Sequence, residues 1–202
     1  MNRQRILDIA RSAMADRKTM PTREKGYIFH HGLRTAKIAL TLVETVGVPI
    51  EVSPDILFAA AVFHDIGKGQ EPHNERGADR AEQLLKTECD CHEIAEIAAI
   101  IRLHNQRRKA QECSNAVRIH QDADILDHFG AQSIWLAFHW NAATEESPEQ
   151  SLEFCASEKN KKWVTGARAS LNFAISGEIF DRRQAFETNF YHRFRNEIDG
   201  CL

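Results

Sequence analysis

Apolar residues recur at helical spacing along nearly the whole chain. Residues 2–17 carry Ile6, Ile9, Ala10 and Ala13 at i, i+3, i+4 and i+7, the stripe of a half-buried helix. A second stripe, Ile38, Leu42 and Val46, runs through 27–46 until Gly47 and Pro49 stop it. Ser53-Pro54-Asp55 reads as a helix start, with Ser53 as N-cap and Pro54 at the first position. The segment from Ile56 to Ile66 is apolar on every side, which predicts a central buried helix ended by Gly67 and Gly69. Further helices are expected at about 74–87, 92–104, 114–128 and 130–141. The stretch 142–149 reads as a loop. Residues 150–198 read as one or two amphipathic helices, the last buried through Ile179, Phe186, Phe190 and Phe194. No alternating stretch is long enough for a sheet. The pattern predicts an all-α, single-domain helical bundle over 1–202, with packing helices in about 130–200.

Composition narrows the class. The 202 residues include 26 Lys and Arg against 29 Asp and Glu, a net charge of −3. That balance argues against a protein that coats a nucleic-acid backbone, but leaves room for a local basic pocket. With 43% hydrophobic and 27% charged residues, the chain can build a full core. The longest apolar run, Ile56 to Phe63, is far short of the roughly 20 residues that span a bilayer. The first 17 residues lack the apolar core of a secretory signal. Five cysteines at irregular spacing fit reduced thiols, so a soluble, cytoplasmic protein is expected.

The informative residues are polar ones that helical spacing points inward. His64 and Asp65 end the most apolar segment of the chain. A carboxylate there is costly to desolvate unless a cation lies beside it, and a metal held by both side chains is the economical answer. A His-Asp pair facing water at the helix end is the alternative. His31 shares a face with Thr35, Ile38 and Leu42, whereas His30 points with Lys37, Thr41 and Glu44 to the wet side. His104 follows Ile97 and Ile101 on one stripe; His120 and Asp124 follow Val117 on another. His92 and Asp122 point outward by the same reasoning, and Asp127 is placed to support Asp124. Mixed imidazole and carboxylate donors from four helices are the make-up of a divalent transition-metal site.

These residues resemble a known family. His31-Gly-Leu-Arg34, His64-Asp65-Ile-Gly67-Lys68 and Asp122-Ala-Asp124-Ile-Leu are similar to the H…HD…D pattern of the HD superfamily of metal-dependent phosphohydrolases. The resemblance covers about residues 20–130. It implies His31, His64, Asp65 and Asp124 as first-metal ligands. His73-Asn-Glu-Arg-Gly77-Ala78 and Ile101-Arg-Leu-His104 resemble segments of two-metal members, so His73 and His104 are either second-metal ligands or bystanders; His120 competes with them as a supporting histidine. There is no GYP motif, which speaks against a cyclic-dinucleotide phosphodiesterase. The implied cofactor is one or two divalent ions (Mn, Fe, Co, Ni or Zn, or else Mg), with Asp65 as the bridge if there are two.

The implied reaction is in-line attack of metal-activated water on phosphorus, with Asp65 and Lys68 as catalytic residues. Arg34 and the run Arg107-Arg108-Lys109 are candidate substrate contacts, with Arg76 and Arg80 as alternatives. Trp135, Trp140 and Trp163 would stack a base or fill the core. The expected partner is a small phosphorylated substrate, first among them a nucleotide, and a homodimer is compatible; neither membrane nor extended nucleic acid is expected. Other readings are an HD-type di-iron oxygenase, a non-catalytic nucleotide-binding module and a plain helical adaptor.

Overall fold

The computed structural model describes residues 1–107 and 112–201. Among them are ten α-helices and no strand. They are α1 (Arg3–Met14), α2 (Tyr27–Val46), α3 (Pro54–Phe63), α4 (His73–Leu85), α5 (Cys91–Leu103), α6 (Asn115–Asp127), α7 (Ala131–Thr144), α8 (Pro148–Ala156), α9 (Glu158–Ala169) and α10 (Ala174–Ile198). The all-α architecture expected from the pattern is the one observed.

Local chemistry sets most of the starts. The Ser53 hydroxyl accepts from the Ile56 amide, with Pro54 in the first turn of α3. Asp90 and Glu93 form a reciprocal capping box at α5, and Ser114 caps α6. α2 stops at Gly47, whose φ of +73° suits a residue without Cβ.

α3 is buried along its whole length and sits at the centre, packed against α1, α2, α5 and α6. One core joins Ile6, Phe29, Phe63, Leu85 and Ile101; a second, around Leu42, Leu57, Ile119, Leu126, Phe129 and Phe180, ties α6 and α10 to α2.

Several expectations are corrected. α3 ends at Phe63, with His64 as its C-cap, not at Gly67; residues 64–69 form turns that free the His-Asp doublet from the helix. The expected loop at 142–149 shrinks, because α7 runs to Thr144 and Ser147, Pro148 and Gln150 start α8 with a capping box. The last third holds three helices rather than one or two. In α10 the buried face is Ser176, Gly177, Phe180 and Glu187, while Phe186 is exposed. Glu187 can face inward because Ser133 and the Gly130 amide donate to it.

Gly67 shows how packing serves the site. A Cβ there would lie 2.2 Å from the His73 carbonyl oxygen and 2.6 Å from the Gly77 nitrogen. Gly67→Ala must therefore push α4 away from the doublet. We expect a loss of about 1–3 kcal/mol, read as a lower thermal midpoint; an unchanged midpoint would show that this close approach is dispensable.

Candidate metal centre

Five elements deliver the site. α2 carries His31, and the turn after α3 carries His64 and Asp65. α4 opens with His73, α5 is capped by His104, and α6 carries Asp124. The turn is clamped from behind by Arg17, whose guanidinium donates to the Ile66 carbonyl at 2.6 Å and the Lys68 carbonyl at 3.1 Å. His31, His64, Asp65, His104 and Asp124 are all buried.

The first group is tight. His31 Nε2 lies 3.1 Å from His64 Nε2 and 3.2 Å from Asp124 Oδ1. His64 Nε2 is 3.7 Å from Asp124 Oδ1 and 3.9 Å from Asp65 Oδ2, which is 4.0 Å from His31 Nε2. Ligand atoms about 2.1 Å from one ion sit about 3–4 Å apart, so these spacings suit a shared cation. The tautomers agree. His64 Nδ1 lies 2.8 Å from the Ala61 carbonyl, which can only accept; Nδ1 therefore carries a proton, and Nε2 is the nitrogen left to face a cation or a second proton. His31 Nδ1 is likewise turned to Asp127 Oδ2 at 2.7 Å. Two imidazole Nε2 atoms facing two buried carboxylates call for positive charge among them, a proton on the rings or a metal ion in its place. Divalent-ion chemistry fits this donor set.

A second group shares Asp65. Its Oδ1 lies 3.9 Å from both His73 Nε2 and His104 Nε2, and the three residues could hold a further ion. His104 Nδ1 sits 2.7 Å from the Ile101 carbonyl, again leaving Nε2 as the acceptor. Lys68 Nζ lies 3.4 Å from the same Oδ1. Asp65 thus turns one oxygen to each group.

The electrostatics follow from burial set against neighbours. Burial disfavours a charged His31, but hydrogen bonds with Asp124 and Asp127 outweigh it and lift its pKa to about 9. Burial opposes the Asp65 carboxylate too, yet the charges of His64, Lys68 and His31 hold its pKa well below the usual range. Asp124 is held down in the same way, against burial, by the facing imidazoles of His31 and His64. Burial and the charge of His64 push His104 down to about 4, so it is neutral and free to ligate at pH 7.

Asp127 fixes His31 and is itself held by Arg34, whose Nε and Nη2 donate at 2.8 and 2.9 Å. Asp127→Asn should weaken Mn²⁺ binding about 10–100-fold in calorimetry. Unchanged affinity would show that this carboxylate does not orient the ring.

A cavity of about 640 Å³ opens over the centre, lined by Asp65, Lys68, His73, His104, Arg107 and Asp124 among others. Arg107 reaches Asp124 Oδ2 at 2.6 Å. Arg34, expected as a substrate contact, instead pairs with Asp127 and is not among the cavity-lining residues. Arg108 and Lys109 lie outside the described residues. Arg76 and Arg80 line a separate cavity of about 480 Å³. His120 is fully buried edge-on to His64, with ring centroids 5.0 Å apart; neither ring nitrogen has a hydrogen-bond partner among the described residues.

Sequence reasoning missed His128, which caps α6 and could share an ion with His31 and Asp124. The signal was there: His128 lies four residues beyond Asp124 on the stripe that starts at His120. Asp122, expected in water, is fully buried. It accepts from the backbone amides of Asn172 at 2.8 Å and Phe173 at 3.2 Å, so the segment leading into α10 covers it. All three tryptophans are about half exposed rather than core: Trp135 52%, Trp140 46% and Trp163 50%.

Comparison with known proteins defines the class. The HD domain model matches residues 28–128, from α2 to the end of α6. The chain belongs to the HD-domain family. A structure described as a predicted HD superfamily hydrolase, from an uncultured Thermotogales bacterium, is 25% identical with a TM-score of 0.64, over 96% of this chain and 91% of that one. An HD-superfamily hydrolase from Bacillus thuringiensis shares the fold at 19% identity and a TM-score of 0.67, over 98% of each chain. Bacillus subtilis YpgQ in complex with ADP shares it at 17% identity and a TM-score of 0.66, covering 98% of this chain and 99% of its own. No curated protein matches the chain. Among the described residues no helix is long and apolar enough to cross a membrane.

Proposed function

We propose that this protein is a metal-dependent phosphohydrolase that uses water to cleave a phosphoester or phosphoanhydride bond of a small phosphorylated substrate, a nucleotide foremost. The observation that carries the reading is the meeting of His31 and His64 with Asp65 and Asp124, each carboxylate within 4.0 Å of both rings, beneath a cavity walled by Lys68 and Arg107. A divalent ion, when bound, supplies the charge that polarises a phosphoryl oxygen and acidifies water. His31, His64, Asp65 and Asp124 would hold it; His73 and His104, with the second oxygen of Asp65, would hold another.

The rest falls to this chain's own groups. Lys68, at the cavity wall beside Asp65, offsets the charge of an incoming phosphate and draws it toward the carboxylate. Arg107 lines the same cavity, where its planar guanidinium, now turned on Asp124 Oδ2, is the kind of group that phosphate recognition uses. The buried histidines and the turn clamped by Arg17 keep the donors oriented before substrate arrives. The ADP held by the YpgQ relative supports a nucleotide. Release of phosphate or pyrophosphate from nucleoside mono-, di- and triphosphates and simple phosphomonoesters, with Mn²⁺ or with chelator, tests the proposal. Chelator-sensitive release supports it. No release with any ion refutes it, and oxygen uptake with iron would move the site to the oxidative reading.

A further inference from the structure

One wall of the cavity lies outside the stretch that the family model matches. Trp163, Gly166, Ala167 and Ser170, all on or just after α9, line it. Their spacing, i, i+3, i+4 and i+7, places them on one helix face. Three of the four are small. A Cβ built on Gly166 meets nothing within 4 Å, so open space lies over the helix there.

Trp163 is the large exception. It is 50% exposed, yet its ring is not loose. The indole stacks on Phe129 with centroids 4.6 Å apart and planes 21° apart. Phe129 is itself buried, and Phe180 backs it at 4.4 Å. A rigid aromatic pair therefore props a half-uncovered indole in the cavity wall, beside a strip of small side chains. Lys162, next in sequence, adds a positive charge to the same cavity. That shape suits a flat, aromatic group whose charged end reaches Lys68 and Arg107.

We propose that this face of α9 is a base-recognition slot: the substrate is a nucleoside phosphate whose base lies on Trp163 and over Gly166 while its phosphates extend to the metal centre. The site's reaction rests on the hydrolase reading above, whereas the slot itself is a claim about binding. Stacking accepts any base, so the slot selects nucleosides as a class rather than one base.

The test compares ADP with inorganic pyrophosphate as probes of the Mn²⁺-loaded protein, by calorimetry and by tryptophan fluorescence. Wild type should bind ADP more tightly than pyrophosphate and show quenching with ADP. Trp163→Ala should lose the quenching and weaken ADP binding about tenfold to a hundredfold, leaving pyrophosphate binding unchanged. Trp163→Phe should retain most of the affinity. Gly166→Leu, which has room for its side chain, should block ADP and spare pyrophosphate. The slot is refuted if Trp163→Ala and Gly166→Leu bind ADP like wild type, if they lose both probes equally, or if wild type does not prefer ADP. Failure of the hydrolase reading would look different: no product from any substrate, with the ADP preference and its loss in the variants intact.

Discussion

Asp65→Ala should lower phosphate release by about three orders of magnitude or more, while far-ultraviolet dichroism stays that of the wild type. The kinetic part follows from the position of the carboxylate. Its two oxygens face two donor groups, so one substitution strips a ligand from each. Metal stabilisation of developing charge contributes several kcal/mol, and three decades of rate correspond to about 4 kcal/mol. The structural part follows from the helix boundary. α3 ends at Phe63, and the turn hydrogen bond from the Lys68 amide uses the Asp65 backbone carbonyl, which alanine keeps. His30→Ala is the matched control: adjacent to a proposed ligand but exposed, it should leave turnover unchanged. Equal rates for Asp65→Ala and wild type would remove the catalytic reading.

Withdrawal of metal should have the second large effect. Chelation should abolish phosphate release and lower the thermal midpoint, and Mn²⁺, Co²⁺ or Ni²⁺ should restore both. An ion at a thousandfold excess over its Kd adds about 4 kcal/mol to the folded state. Protons compete for the same place. His31 in the metal-free fold holds its proton up to about pH 9, the proton then serving as the positive charge among the donors. Below that pH a binding ion must displace it, so Mn²⁺ affinity should fall about tenfold per pH unit on going down from pH 9. The metal-free protein should show the converse. Because the folded pKa is raised, His31 stabilises it fully below about pH 6.5, and that stabilisation is lost as the pH rises through 9. Metal affinity independent of pH between 6 and 9 would contradict this account of the centre.

The sequence was most readable where one helix decides its own outcome. The bounds of α2, the Ser53 cap and the inward stripes bearing His31, His104 and Asp124 all follow from spacing within a single element. It was least readable where a distant segment supplies the cover or the partner. Asp122 lies on the face that α6 alone would turn to water, until Asn172 and Phe173 close over it. Arg34 reads as a candidate substrate contact because nothing near it in the chain announces its partner Asp127, 93 residues on. The stripe expected in α10 breaks at Phe186 for the same reason: Ile179 packs on the core and Phe190 and Phe194 meet Phe138, but Phe186 is exposed, while Glu187 finds Ser133. His64 and Asp65 are buried as the pattern suggests although their helix ends earlier than expected, because the cost of a buried carboxylate does not depend on where the helix stops.

The most direct measurement is anomalous diffraction from crystals soaked in Mn²⁺. The account predicts a peak about 2.0–2.3 Å from His31 Nε2, His64 Nε2, Asp65 Oδ2 and Asp124 Oδ1 together. Manganese bound only elsewhere, or no peak among these four side chains in crystals that hold the ion, would contradict it.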